Sequence, residues 1–521
     1  MNTGIWMQES FWESTEEQNV KDGPQESTGH LDLAGEGKEN GGNKLVDQKT
    51  SLWQQTYENI LVGMGLCGIT LNFLLLNYIL PFIGILMIFT GLRKLRQENE
   101  WFKTGYAAAA VKLVLTMISL VVGTFINAET IYDTYKWKIM LLWAYALPLI
   151  IAFSFFRGMR AELKKRDQEA NNNILIHIFI WYAVVLLFAV INYSGWIIGL
   201  LIVAAYIGIL VELKHTAEDL EKAGYVLEKP SVRVSNGKCA AGAVILTAAG
   251  LVVGTIFFGS YHMKWTEAKT AQDPACEEIK AHLISLGFPE DILNDLKEED
   301  ILECKNARQV LLERNDYPIN DGVEVSSVFE GYTQYSREYP KKELKLSGVA
   351  VELEQEGQWK IIHHFLWNEN PGFRGTEAVQ LYPVYRETSS GWSGRGNLTG
   401  HVLYDKNGVS YTAEYASLDN ETYDVETCWP FYESRENSSI IAEFSMPGRG
   451  ENYRGYVAYG IQAKEEGWWI DSWLNYIHQK SLLQYPAMTA SQYRKRGGWI
   501  DSRVFITVQD ALQVLPGGEN D

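Results

Sequence analysis

Apolar residues are distributed unevenly along the chain. Between residues 57 and 261, long apolar runs alternate with short basic loops, whereas no later run approaches the roughly 20 residues that cross a bilayer as a helix. The first half therefore has the pattern of a membrane protein, and the second half that of a water-soluble one. This pattern predicts a multi-pass α-helical membrane bundle followed by an α+β region, with the boundary near residue 262.

Seven apolar runs are candidate membrane-spanning helices. They lie at residues 57–76, 78–92, 106–126, 139–156, 174–191, 196–211 and 239–261. A turn at residues 77–81 separates the first two, and one helix over both would be roughly 50 Å long, far longer than a hydrocarbon core. We therefore expect these two runs to form a tight helical hairpin.

Basic residues in the short loops indicate the orientation, because loops rich in Lys and Arg stay in the cytoplasm. The loops after the second, fourth and sixth runs hold fourteen basic residues, whereas the alternate loops hold Lys136 and Lys138. This bias predicts a cytoplasmic N-terminus and an extracytoplasmic C-terminal region. A re-entrant first hairpin would move the N-terminal tail alone to the other side.

Composition divides the chain further. The N-terminal segment is rich in Asp, Glu, Gly, Ser and Gln, too polar to bury a core. We predict a disordered acidic cytoplasmic tail (1–55), a transmembrane bundle (56–261), a linker with a small helical subdomain (262–315), an extracytoplasmic antiparallel β-domain (316–515) and a short tail (516–521).

Local signals support the last two divisions. Residues 274–315 have apolar positions at helical spacing, and Asp295 and Glu298 have the spacing of a capping box. Beyond them, alternating strands are separated by turn signals, among which Asn407-Gly408 is the strongest. About nine strands are predicted, which favours an antiparallel β-sandwich or jelly roll.

Tryptophans supply the candidate binding chemistry. Aromatic faces stack on sugars and other flat ligands, although a large sandwich also buries such side chains in its core. The candidate ligand-binding residues are Trp468, Trp469 and Trp499, and the motif Trp-Ile-Asp-Ser begins at both Trp469 and Trp499. Strand alternation would put Trp468 and Trp469 on opposite faces, so we expect at most one of them at the surface.

Two cysteines fall within the predicted helical subdomain. A disulfide between Cys276 and Cys304 would close a loop whose stabilisation is roughly 3–4 kcal/mol in the chain-entropy model. The pair is therefore a candidate disulfide.

Residues 72–95 (NFLLLNYILPFIGILMIFTGLRKL) and 286–302 (LGFPEDILNDLKEEDIL) resemble a family of uncharacterised bacterial multi-pass membrane proteins. The resemblance covers about a tenth of the chain. It implies a membrane location and carries no activity, ligand or site residue.

Several classes of function are disfavoured. The net charge of −18 argues against nucleic-acid binding. No cofactor motif and no catalytic motif such as G-x-S-x-G or H-E-x-x-H is present. His363 and His364 are adjacent on a predicted strand, so they point to opposite faces and do not readily share a metal ion.

The leading interpretation is a cell-envelope membrane protein whose β-domain binds a ligand, glycan or protein partner. A transporter would normally carry charges at mid-membrane. The candidates here are Lys112, which we expect to snorkel to the nearby cytoplasmic face, and His177 near the start of a run. A membrane-tethered hydrolase is the third alternative, with no motif in its favour.

The basic-loop bias generates a topological prediction. A reporter that is active in the cytoplasm alone should be silent when fused after Asp521 and active when fused within residues 157–173. Reporter activity in whole cells measures this. Activity after Asp521 would overturn the predicted orientation.

Overall fold

A computed structural model of the chain describes residues 51–68, 75–168, 173–191, 196–228, 234–268, 274–329, 332–386, 391–427, 433–465, 467–482, 484–497 and 502–517. Most of the predicted acidic tail and Trp499 lie outside these residues. The chain forms two compact units. The first extends to Val122 and resumes over Glu129–Leu251; the second comprises Gly123–Ala128 and everything from Val252 onward.

The described residues before 259 form eight helices. They are α1 (Leu52–Gly68), α2 (Leu76–Leu95), α3 (Glu100–Val122), α4 (Ala128–Asp133), α5 (Tyr135–Lys164), α6 (Asn173–Val190), α7 (Trp196–Lys222) and α8 (Asn236–Phe258). Within the part of the chain that the structure describes, α2, α3, α5, α7 and α8 are long and apolar enough to cross a membrane. Both α1 and α6 are shorter than these five helices, so the expected count of seven spans is not confirmed.

Large aliphatic side chains cover the outside of these helices. Leu142 on α5 is 69% exposed, Leu201 on α7 is 64% exposed and Ile245 on α8 is 68% exposed. Soluble proteins rarely expose contiguous apolar surface, whereas lipid tails solvate it. Together with the length of the five helices, this surface indicates membrane association.

The first two helices pack closely, as expected for a helical hairpin. A Cβ added to Gly63 would lie 2.6 Å from the carbonyl oxygen of Gly84, so the absence of side chains lets the two backbones approach. The predicted turn at residues 77–81 is wrong, because α2 begins at Leu76 and contains Pro81. Pro81 is the sixth residue of α2, so its missing N–H removes the helical hydrogen bond to the carbonyl oxygen of Asn77.

The second unit is rich in strands. Its further elements are β1 (Thr266–Glu267), α9 (Pro274–Ser285), α10 (Glu290–Leu293), α11 (Glu298–Glu303), β2 (Gln309–Tyr317), β3 (Val323–Phe329), β4 (Tyr332–Glu338), β5 (Leu344–Glu352), β6 (Gln358–Trp367), β7 (Glu377–Tyr382), β8 (Trp392–Lys406), β9 (Val409–Ala413), β10 (Ser417–Thr427), β11 (Glu433–Phe444), β12 (Glu451–Ala463), β13 (Ile470–Gln479), α12 (Ala490–Lys495) and β14 (Phe505–Val514).

These strands form two large antiparallel sheets and a separate β3–β4 hairpin. The first sheet has the order β1-β9-β8-β12-β6-β5-β2, and the second has the order β10-β11-β7-β13-β14. Side chains from both sheets share one apolar core, within which the Trp367 indole N–H of β6 donates to the Tyr476 hydroxyl of β13 at 3.0 Å. The second unit is therefore built around a β-sandwich.

Helices cover the outer faces of the sandwich. Leu283, Phe288 and Ile301 of the α9–α11 region pack with Val349 and Ile362 on the outer face of the seven-stranded sheet. On the far side, α12 packs against the outer face of the five-stranded sheet. The central strands β5, β6 and β12 of the seven-stranded sheet are thus buried on both faces.

Within the β-domain, the predicted turn at Asn407-Gly408 is confirmed, whereas the predicted number of strands is too low. Asn407 and Gly408 both have positive φ, 53° and 77°, between β8 and β9, as a two-residue hairpin requires. In the region for which about nine strands are predicted, however, twelve are described, β3 to β14. The predicted helical region includes residues 309–315, but Gln309–Tyr317 is β2, because its pairing with β5 along the sheet edge overrides the local apolar spacing.

The chain enters the sandwich at one end, which we call the proximal end. There the Tyr261 N–H donates to Ser445 Oγ at 3.0 Å, directly after β11. Trp265 then packs edge-on against Tyr404 with ring centroids 4.8 Å apart, and β1 pairs with β9. The opposite, distal end holds the turn between β12 and β13.

This route predicts where an autonomous domain must begin. A fragment of residues 261–521 should be soluble and β-rich with a cooperative melt, because it retains Trp265 and β1. A fragment of residues 273–521, which begins just before α9, should be less stable by about 2–4 kcal/mol, since it loses a packed tryptophan. Chemical unfolding followed by circular dichroism measures the difference. Equal stability would show that residues 261–272 do not contribute to the fold.

Candidate functional site

Trp468 and Trp469 lie at the distal end, in the turn that precedes β13. Their exposures are 40% and 56%, and β13 starts only at Ile470. The expectation that at most one of them would be at the surface is therefore wrong: neither is in a strand, so strand alternation does not apply. Among the described tryptophans of the second unit, these two alone are exposed, whereas Trp359, Trp367 and Trp392 are buried in the core.

Hydrogen bonds and close packing hold this turn in place. The Trp468 indole N–H donates to Glu465 Oε2 at 3.1 Å, and the ring lies so close to Gly391 that a Cβ there would overlap it. Gly391 also has a φ of 68°, which favours glycine. The carbonyl oxygen of Trp469 accepts from the Trp392 indole N–H at 2.9 Å. The two exposed rings thus sit on an ordered backbone.

Polar groups lie beside the pair on the neighbouring strands. Asp471 Oδ1, two residues beyond Trp469, accepts from Gln513 Nε2 on β14 at 2.9 Å, and both side chains are exposed. The backbone N–H of Gln513 donates to Glu313 Oε2 at 3.1 Å. Burial raises the pKa of Glu313, and the charges of Asp510 and Asp471 raise it further. Aromatic faces next to carboxylate and amide groups suit a hydroxyl-rich or cationic ligand.

Residue 499 falls outside the described residues, so the structure does not relate Trp499 to this turn. Its candidate role in ligand binding stays a prediction.

A buried polar network joins the helical layer to the seven-stranded sheet. Asp295, in the turn after α10, accepts from Arg454 Nε at 2.7 Å and contacts His364 Nε2 at 2.9 Å, and its carbonyl oxygen lies 2.6 Å from His401 Nε2. The predicted capping box at Asp295 and Glu298 is therefore wrong. The N-cap of α11 is instead Lys297, whose side chain makes no capping bond, and the Asp295 carboxylate is engaged by residues of the sheet.

Asp300 on α11 is the second centre of this network. Lys360 Nζ lies 2.7 Å from Asp300 Oδ1, with both side chains almost fully buried, and Thr399 donates to the same oxygen at 2.7 Å. The Tyr456 hydroxyl also donates to Asp300. Buried charges are tolerated when they are paired and hydrogen-bonded, so this network attaches the helices rather than binding a ligand. The periodicity of the sequence gives no signal for this network, because its residues lie in the turn after α10, on α11 and on the strands β6, β8 and β12.

His363 and His364 point to opposite faces of β6, as expected. His364 faces Asp295, whereas His363 Nε2 lies 2.7 Å from Ser472 Oγ inside the sandwich. Burial lowers the pKa of His363 to about 3, so it is neutral at physiological pH. Ser472 and His363 lie at the distance of a nucleophile and its base, but each of these two residues is at most 2% exposed. A substrate has no access to them.

Cys276 and Cys304 lie in one buried cluster, where both are thiols in this structure. Burial raises the pKa of the Cys304 thiol to about 12, which suppresses the thiolate that disulfide exchange requires. The disulfide stays a prediction.

Lys112 lies near the middle of α3, not near its end, because the helix begins at Glu100, earlier than the predicted span. Its ammonium donates to the carbonyl oxygen of Ala144 on α5 at 3.0 Å. Pro148 lies four residues after Ala144 and has no N–H, so this carbonyl has no helical donor. Lys112 therefore satisfies the acceptor that Pro148 leaves open, which is a structural role.

No group of three or more His, Cys, Asp or Glu residues suited to a metal ion occurs among the described residues. No protein-family model matches the chain, and no curated protein and no solved structure is significantly similar to it. The distal turn is therefore the candidate site on geometry alone.

The Lys112 contact generates a double-mutant prediction. Lys112→Met should destabilise the helical unit by about 1–3 kcal/mol, because it leaves the Ala144 carbonyl unpaired. Pro148→Ala restores a helical N–H, so the same change should cost much less in that background. Unfolding of the purified protein in detergent measures both costs. Val111→Met, on the exposed face of α3, is the matched control and should cost the same in either background. Equal costs for Lys112→Met would rule out this role.

Proposed function

We propose that this chain is a multi-pass cell-envelope protein whose β-domain lies on the extracytoplasmic side and binds a ligand at the distal end. In this proposal α1 and α6 complete a set of seven spans with α2, α3, α5, α7 and α8. The excess of basic residues in alternate loops supports the orientation.

The exposure of Trp468 and Trp469 carries the binding proposal. A sandwich that used its tryptophans for packing alone would bury them, as it buries Trp359, Trp367 and Trp392. Exposure of a tryptophan side chain to water is unfavourable in free energy, and two adjacent exposed tryptophans are typical of binding surfaces. The hydrogen bonds of Glu465 and Trp392 preorganise the turn, which lowers the entropic cost of binding.

The ligand class we favour is an envelope glycan. Sugars offer an apolar face for stacking and hydroxyl groups for hydrogen bonds, and the distal end supplies the exposed rings together with Asp471 and Gln513. A protein partner is the alternative within the same proposal. Recognition by these groups requires no metal ion or cofactor.

Substitution of the tryptophans tests the proposal. Trp468→Ala and Trp469→Ala should leave the melting temperature almost unchanged and weaken retention on an isolated envelope fraction by roughly tenfold, about 1.4 kcal/mol. Purified envelope polysaccharide should compete for retention. Pull-down of the fragment of residues 261–521, followed by quantification, measures retention and competition. Circular dichroism measures the melting temperature.

Two control variants calibrate the result. Trp367→Ala should cost about 3–5 kcal/mol of stability, because Trp367 is buried and bonded to Tyr476. Val409→Ala, at an exposed apolar residue near the proximal end, should change neither stability nor retention. Loss of stability in the Trp468 and Trp469 variants, or unchanged retention, would remove the support for a binding site here.

A further inference from the structure

The β3–β4 hairpin stands apart from both large sheets. Its strands pair with each other and with no other strand among the described residues. Every residue of β4 is exposed. An isolated two-stranded hairpin is marginally stable in water, so a long exposed one is typically held by a partner.

Its exposed surface is aromatic on both faces. Tyr332 is 80% exposed, Tyr335 is 67% exposed, and Tyr339 just after β4 is 43% exposed. The register places Tyr335 opposite Ser326 on one face, whereas Tyr332 lies on the other. The charged residues of the two strands, Glu324, Arg337 and Glu338, lie near the base of the hairpin, where Glu324 is opposite Arg337 and Glu338 is opposite Val323. Tyr332 lies at the other end of β4, away from these charges.

The hairpin extends from the proximal end of the sandwich. The chain leaves β2 at Tyr317 and returns at Leu344, two residues that pair with each other. The pairing of Leu344 with Trp367 places them at the end where Tyr261 binds Ser445. The last turns of the apolar helix α8 belong to this same unit.

A neighbouring loop adds a further apolar side chain. Lys480 after β13 forms an ion pair with Asp321 at the base of the hairpin, with 3.5 Å between Nζ and Oδ1. Two residues later Leu482 is 55% exposed. Of the described side chains on the strands and loops of this unit, Val323, Tyr332, Tyr335 and Leu482 are the large apolar ones that are more than half exposed at the proximal end.

We propose that the β3–β4 hairpin and Leu482 rest in the lipid–water interface of the membrane that α8 crosses. Tyrosine is enriched at this interface, where its ring lies among the acyl chains and its hydroxyl reaches the headgroups. Each strand of seven residues is roughly 23 Å long, enough to extend along or into the headgroup layer. The proposal rests on the membrane location proposed above, but not on the ligand site.

Site-specific fluorescence of the full chain in lipid nanodiscs tests it. An environment-sensitive label is attached to Tyr335→Cys, to Ile256→Cys on α8 as the lipid reference, and to Glu356→Cys at the distal end as the water reference. The unsubstituted protein, treated with the same label, gives the background signal from the native cysteines. The label at position 335 should show blue-shifted emission that spin-labelled lipids quench, as at position 256, whereas the label at position 356 should not.

The outcomes separate the inference from the proposal on which it rests. If lipid quenches the label at position 256 but not the label at position 335, the hairpin inference is overturned and the membrane location is left intact. No quenching at 256 would overturn both. Cross-linking of two chains through position 335 would assign the hairpin to a second copy, against the inference.

A second measurement tests the tyrosines themselves. With the label on Leu482→Cys, the double change Tyr332→Ser and Tyr335→Ser should abolish most of the lipid quenching. Thr333→Ser, on the same strand, should preserve it. The melting temperature of the β-domain should be equal in both variants, since all three side chains are exposed. Unchanged quenching in the double variant would contradict a role for these rings in membrane contact.

Discussion

Burial of both faces of the central strands of the seven-stranded sheet is the constraint on which the second unit depends. One face packs on the five-stranded sheet and the other on the α9–α11 layer, so nearly every residue of β5 and β6 is buried. A strand in this position has no face that water can solvate. Each polar side chain on it must therefore find a partner inside the protein, as His363 does with Ser472 and Lys360 does with Asp300.

This constraint also explains what the sequence could and could not predict. Turn chemistry is local, so Asn407-Gly408 marks its hairpin without knowledge of the fold. The identity of β2 depends on its pairing with β5, and the exposure of Trp469 depends on where β13 begins. Neither is encoded within a window of a few residues. Asp295 illustrates the same limit, because its local spacing indicates a cap whereas distant partners on β6 and β12 determine its role.

In the helical unit the balance is different. Helix length and apolar content are local properties, and five long apolar helices are recognisable from them. The role of Lys112 is not a local property, because it depends on Pro148 in another helix. A charged residue within an apolar helix suggests transport chemistry when it is considered alone. Once the open Ala144 carbonyl is included, the same residue supplies the hydrogen bond that Pro148 leaves missing on α5.

The short strand β1 has a mechanical consequence. It lies within ten residues of the end of α8 and pairs with β9 over two residues, whereas the central β12–β6 ladder extends over nine. Tension applied through α8 would reach the sandwich at the Tyr261–Ser445 bond and then at this small ladder. A load on the linker would therefore detach the outermost strand before it disturbed the core, so that the linker lengthens under force while the distal turn keeps its shape.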